Sequence, residues 1–213
     1  MRVEIYVDVV CPWCYIGERR FARALAEYER ATGGDDPVEA VVRSYQLDAT
    51  APRTAMPLRE YLDARFGRGA EGMMEAVTSA GVDEGIRFDW DRALAVNTAT
   101  AHRLLRLANV RQGAASQRAL LERLFAAHFT HGEDVGDVET LAGHAAAVGM
   151  DADAVHAYLT SDEGHAELAA ELDEARQLGV RAVPTFVLEG EFAVSGAQTS
   201  EVFGNVLQEV RRR

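Results

Sequence analysis

From Val3 to Val10 the chain is dominated by β-branched and aromatic residues with no glycine or proline among them, a run that predicts a strand buried within a sheet. Phe21, Leu25 and Tyr28 then recur at helical spacing between Glu18 and Thr32, and Gly33-Gly34 supplies a stop. After the turn Asp35-Asp36-Pro37, a second strand is predicted from Val38 to Leu47. The opening therefore reads β-α-β, with two cysteines, Cys11 and Cys14, at the first strand-to-helix junction.

After Asp48 the pattern changes. Helical periodicity appears at Leu58–Phe66, Glu71–Ala80, Asn97–Ala108, Ala114–Thr130, Val138–Val148 and Ala152–Leu159, punctuated by Gly67, Gly81, Gly113, Gly132 and Gly149. No strand is predicted between Thr50 and Gly164. Glu167–Leu178 is again helical, Thr185–Leu188 and Glu191–Val194 read as a hairpin through Glu189-Gly190, and Ser200–Arg213 is a last helix with Val202, Phe203, Val206, Leu207 and Val210 on one stripe. The fold class is thus α/β: a thioredoxin-like fold, residues 1–49 and 165–213, carrying a large all-helical insertion at 50–164. The two outer pieces must share one sheet.

With 213 residues, 48% of them hydrophobic, the chain can bury a core without staples. A net charge of −12 argues against a nucleic-acid partner, since phosphate neutralisation needs a basic face. The compact cationic cluster Arg211-Arg212-Arg213 suits the C-terminal end of a helix dipole. All 22 cationic residues are arginine, which with the alanine richness reads as codon bias rather than mechanism. No apolar run approaches the roughly 20 residues of a membrane span, so no membrane partner is expected. Two cysteines and an opening that alternates apolar and charged residues favour a cytoplasmic setting.

Two cysteines three apart at a helix start lie on one face, close enough to form a disulfide and reopen it. Cys11, beside the unpaired N–H groups and the positive end of the dipole, is the expected nucleophile, and Cys14 the resolving thiol. Pro12 fits the first helical position, and Trp13 would shield one side of the site and offer an apolar contact to substrate. A zinc site is the weaker reading: there is no second cysteine pair, and His128 and His131 are closer together than zinc-finger histidines. No metal and no bound cofactor are expected. Far along the chain, Val183-Pro184 immediately precedes a predicted strand, at the kind of bond where a cis peptide is cheap.

Together these segments resemble the DsbA-like branch of the thioredoxin superfamily, and specifically its FrnE-type cytosolic members. The resemblance rests on DVVCPWCYIG (8–17), YQLD (45–48), NTATAHRLLRLA (97–108), LFAAHFTHGEDVGD (124–137), GVRAVPTFV (179–187) and VSGAQ (194–198). It implies that Cys11 attacks, Cys14 resolves and Pro184 is a cis-proline against the sulfurs. Val183 would present backbone groups to an extended substrate, beside Thr185, with Pro12 and Trp13 on the other side. The resemblance also covers Asp8, which would bond near Cys14 or cap the turn, and the Gly196-Ala197-Gln198 turn. His102, on an otherwise apolar helix, is read as a core residue.

The implied activity is thiol-disulfide exchange on protein or small-molecule disulfides, with glutathione as a conceivable co-substrate. Glutathione-dependent isomerases and kappa-class transferases share the helical insertion but carry serine at the position of Cys11, so the two thiols favour exchange. A noncatalytic, chaperone-like module is the third reading and predicts activity without either cysteine. In a reducing cytoplasm, reductase or isomerase work is the more natural direction. Substrate, redox partner and oligomeric state are not legible.

Overall fold

A computed structural model describes residues 1–67 and 69–213. Strand β1 (Arg2–Val7) is followed by α1 (Pro12–Thr32) and β2 (Glu39–Ser44). Next come β3 (Met56–Pro57), α2 (Leu58–Phe66), α3 (Gly69–Val82), β4 (Leu94–Ala95), α4 (Ala99–Gln112) and α5 (Ala114–Ala126). A π-helical turn (Ala127–His131), α6 (Val138–Ala146), α7 (Ala152–Thr160), α8 (His165–Gln177), β5 (Thr185–Leu188), β6 (Phe192–Ser195) and α9 (Ser200–Arg211) complete the chain.

The main sheet has the order β2-β1-β5-β6, parallel between β1 and β2 and antiparallel elsewhere. Ile5 sits opposite Val42 on one side and Phe186 on the other, so the two ends of the chain meet in one ladder. On the face carrying Ile5, Phe21 of α1, Phe186 of β5 and Phe203 of α9 form an aromatic trio with centroids 4.5–5.6 Å apart. On the opposite face Tyr6 packs with Ala175 of α8 and Val180.

The outer edge of β2 is covered by side chains. Gln117 of α5 accepts the Val42 N–H (2.9 Å) and donates to the Val42 carbonyl (3.0 Å), while Glu171 of α8 accepts the Ser44 N–H (2.6 Å). A glutamine thereby supplies the hydrogen bonds that a further strand would make.

The structure shortens or divides several expected elements. β1 ends at Val7 because Asp8 turns the chain, its carbonyl accepting the Cys11 N–H at 3.0 Å. α1 begins at Pro12, ahead of the periodicity starting at Glu18, because Cys11 caps it. The helix expected over Ala114–Thr130 stops at Ala126 and rewinds as the π turn. The absence of strands between Thr50 and Gly164 is corrected by the β3–β4 pair, Met56 opposite Ala95; two residues are too few for an alternation to register. Gly81 lies in the last turn of α3, one residue before its end at Val82, where a Cβ would fall 2.5 Å from the Phe88 ring. The stripe on α9 is narrower than expected, with Phe203 and Leu207 buried and Val202 exposed.

Candidate active site

Cys11 is the N-cap of α1, and Pro12 occupies the first turn without cost because that position needs no N–H partner. The Cys11 sulfur accepts the Cys14 N–H (3.3 Å), and its thiol faces the Val183 carbonyl at 3.8 Å. The dipole of a 21-residue helix thus ends on one sulfur. The Val183–Pro184 bond is cis. A segment 172 positions away in sequence is therefore in contact with the cap of α1.

The two thiols differ in access. Cys11 borders an open cavity of about 750 Å³; Cys14 does not, and is wholly buried. Burial pushes the Cys14 thiol well above its ordinary range, with the hydrogen bond and charge of Cys11 adding to it. An Asp8 backbone hydrogen bond works the other way, and the Asp8 carboxylate reinforces the rise. Both cysteines are in the free thiol form. Cys14 accordingly holds its proton at neutral pH, which leaves Cys11 to meet a substrate first.

Asp8 is buried behind the pair. Its carboxylate accepts the Leu47 N–H (2.8 Å) and lies 3.2 Å from His102 Nε2. His128, in the π turn, is also fully buried, and neither of its ring nitrogens has a partner among the described residues. Desolvation pulls its imidazole down to about 4, so it is neutral. His131, three residues on, is exposed.

Trp13 projects from α1 at the cavity mouth and Pro12 lies beside it. Across the opening stand Leu47, Phe66 and Met73; Phe129 and Trp90 form part of the back wall. That wall is anchored to α1 by Tyr15, which stacks on Phe125 and on Phe129 with centroids 5.0 and 6.3 Å apart. Val183 also reaches the cavity. Thr185 does not: it is buried in β5 and its hydroxyl donates to the Ala182 carbonyl (2.7 Å), bracing the Val183 loop from behind.

The Gly196-Ala197-Gln198 turn acquires a physical role. Gly196 donates its N–H to the Pro184 carbonyl (2.8 Å), and Arg20 of α1 donates to the Ala197 carbonyl (2.8 Å). Gly196 has φ +81°, a conformation that favours glycine. Gly17 completes the clasp, since a Cβ there would lie 2.9 Å from Pro184 Cγ. The turn thereby holds Pro184 against α1.

Sequence reasoning missed the cavity wall and the Asp8–His102 contact. Trp13 was the one signal for the former; for the latter it was a histidine on an apolar helix.

No curated protein matches the chain in sequence. Among solved structures, a "probable DsbA oxidoreductase" from Streptomyces coelicolor is 35% identical with a TM-score of 0.86, over 98% of this chain and 89% of that one. The cytosolic disulfide reductase DsbM from Pseudomonas aeruginosa, solved with GSH, shares the fold at 18% identity and TM-score 0.71 over the full length of both chains. A 2-hydroxychromene-2-carboxylate isomerase does so at 16% identity and TM-score 0.68, over 100% of this chain and 97% of that one. Because a family model for the DSBA-like thioredoxin domain also matches residues 2–208, the chain belongs to the DSBA-like thioredoxin domain family.

Proposed function

We propose that the protein is a thiol-disulfide oxidoreductase that cycles Cys11 and Cys14 between dithiol and disulfide. The observation that carries this reading is the asymmetry of the pair: Cys11 borders the cavity and accepts an amide hydrogen bond, while Cys14 is sealed and protonated behind it. The Cys11 thiolate attacks one sulfur of a substrate disulfide, the substrate S–S bond breaks, and the departing sulfur leaves as a thiol after taking a proton. Cys14 then gives up its proton and attacks the Cys11 sulfur of the mixed disulfide, releasing the second substrate thiol. Two electrons pass to the substrate, and the protein is left with a Cys11–Cys14 disulfide that a thiol reductant, glutathione among them, reopens.

Pro12, Trp13 and Val183 would bound the substrate at the sulfur, and Pro184 would hold the Val183 carbonyl in place. The cycle needs no bound cofactor. Substrate disulfides on proteins and on small molecules both fit this chemistry. A cytoplasmic setting and a reductase or isomerase direction belong to the proposal, supported by the low cysteine content and by the cytosolic reductase DsbM of the same fold. Among the described residues, no helix is long and apolar enough to cross a membrane.

The test is trapping. Cys14→Ser should accumulate reductant-sensitive adducts on Cys11, and Cys11→Ser should accumulate none; the reverse pattern overturns the roles. Titration of the pair against glutathione should give a two-electron transition. No disulfide at any poise, with glutathione bound noncovalently, would favour the isomerase reading that the fold likeness to the 2-hydroxychromene-2-carboxylate isomerase suggests.

A further inference from the structure

Exchange requires only that one sulfur of the substrate disulfide reach Cys11, yet the space before the Cys11 sulfur is about 750 Å³. That is the size range of pockets enclosing a whole small molecule. The described residues expose eight large apolar side chains, and four of them, Trp13, Leu47, Phe66 and Met73, border this one opening. Single exposed apolar residues are ordinary; half of them gathered at one mouth mark a binding surface.

Among the described residues, the charges at the cavity are already engaged. Asp8 is buried and bonded to the Leu47 N–H and His102. Asp48 accepts bonds from Thr50, Tyr61 and Arg65, with Arg65 at 2.5 Å. Neither carboxylate is left for a substrate ammonium group, and Arg65 is paired with Asp48. A polypeptide filling the space would press backbone N–H and C=O groups against walls with few partners for them, an unfavourable burial.

Helix α3 keeps the space open. Gly69 and Gly72 both border it, and a Cβ at either would meet nothing among the described residues within 4 Å. Glycine weakens a helix interior, so what Gly72 contributes is room.

We infer that this cavity is the specificity site of the exchange reaction and receives the apolar body, aromatic or alicyclic, of an uncharged small-molecule disulfide. The inference rests on the thiol-disulfide reading of the same site. The Cys11 thiolate attacks R–S–S–R′, the R′ thiolate leaves with a proton, and R stays seated in the cavity as the Cys11 mixed disulfide. Attack by Cys14 on the Cys11 sulfur expels RS⁻, which takes up the proton Cys14 has lost. Two electrons move from the dithiol to the disulfide, and a dithiol reductant restores the protein.

The experiment is single-turnover oxidation of the reduced protein, followed by tryptophan fluorescence. The oxidants are dibenzyl disulfide, bis(2-hydroxyethyl) disulfide, glutathione disulfide and a disulfide-bonded peptide, each rate constant divided by that of the same disulfide with free dithiothreitol. Dibenzyl disulfide should lead the others by at least about tenfold, the return expected from burying one aromatic group. Gly72→Leu and Ala76→Leu, which put bulk into the cavity from the same helix, should each reduce that lead to less than about threefold, the loss expected when the aromatic group no longer fits. Equal normalised rates, a lead by glutathione disulfide or the peptide, or a preference surviving both fillings overturns the inference and leaves thiol-disulfide exchange standing. Failure of every disulfide to oxidise the pair overturns the exchange reading itself.

Discussion

Asp8 and His102, 94 positions apart, are both wholly buried, with the carboxylate 3.2 Å from Nε2. The backbone of the same aspartate accepts the Cys11 N–H, so the acid is tied to the loop that carries the thiols. Its negative charge is one of the causes that hold the Cys14 thiol high. Removing that charge must lower the cost of ionising Cys14. In a Cys11→Ser background, Asp8→Asn should therefore shift the Cys14 titration to lower pH, read from the ultraviolet absorbance of the thiolate. A midpoint that stays put or rises contradicts the electrostatic link between Asp8 and Cys14.

Gln117 bonds both polar groups of Val42 at the edge of β2, at 2.9 and 3.0 Å. Gln117→Leu keeps the bulk and strands a buried N–H and a buried C=O, each worth roughly 1–3 kcal/mol when left unpaired. We expect a loss of about 3 kcal/mol in urea unfolding, with little change in the slope of the transition. A loss under about 0.5 kcal/mol, the ordinary scale of a surface substitution, would show that the edge is not held by this side chain.

The thiol pair was legible because its chemistry rests on local spacing. Cys11, Pro12 and Cys14 fall within one helical turn, and the strand before them is unbroken. Pro184 was legible through its Val-Pro-Thr setting. What stayed hidden depends on contacts between distant segments. The cavity wall is assembled from Leu47, Phe66, Met73, Trp90 and Phe129, whose local patterns describe only their own helices and loops. Gly81 marks the end of α3 to within one residue, but periodicity cannot show that it faces the Phe88 ring. The β3–β4 pair and the π turn are each too short to impose a period of their own.

His128 gives the protein an acid-sensitive component. Its buried imidazole is pulled down to about 4 by desolvation, with the charge of Asp8 acting weakly in the opposite sense. In the unfolded chain a histidine titrates near 6.5, so on acidification the unfolded state takes up this proton first. The contribution is therefore whole above about pH 6.5 and is lost as the pH falls towards about 4. At about 1.4 kcal/mol per unit, the loss is on the order of 3 kcal/mol. Urea unfolding of His128→Leu should show a shallower decline than the parent across that window. Equal declines would mean that His128 is not the group responsible.

Gly17 and Pro184 meet so closely that a single methyl group tests the clasp around the active site. A Cβ at residue 17 would lie 2.9 Å from Pro184 Cγ and 3.4 Å from the Ala197 Cα, so either the ring or the Gly196-Ala197 turn has to move. Overpacking of this kind costs about 1–3 kcal/mol. Gly204 supplies the control: it lies in α9, and a Cβ there meets nothing within 4 Å. Gly204→Ala should stabilise the protein by up to about 1 kcal/mol through helix propensity, with no effect on exchange. Gly17→Ala should gain the same propensity yet lose stability overall. It should also slow attack of Cys11 on a disulfide by about tenfold or more, because the Val183 carbonyl facing that sulfur moves with Pro184. If Gly17→Ala were as stable and as fast as Gly204→Ala, Pro184 would not be held by this contact.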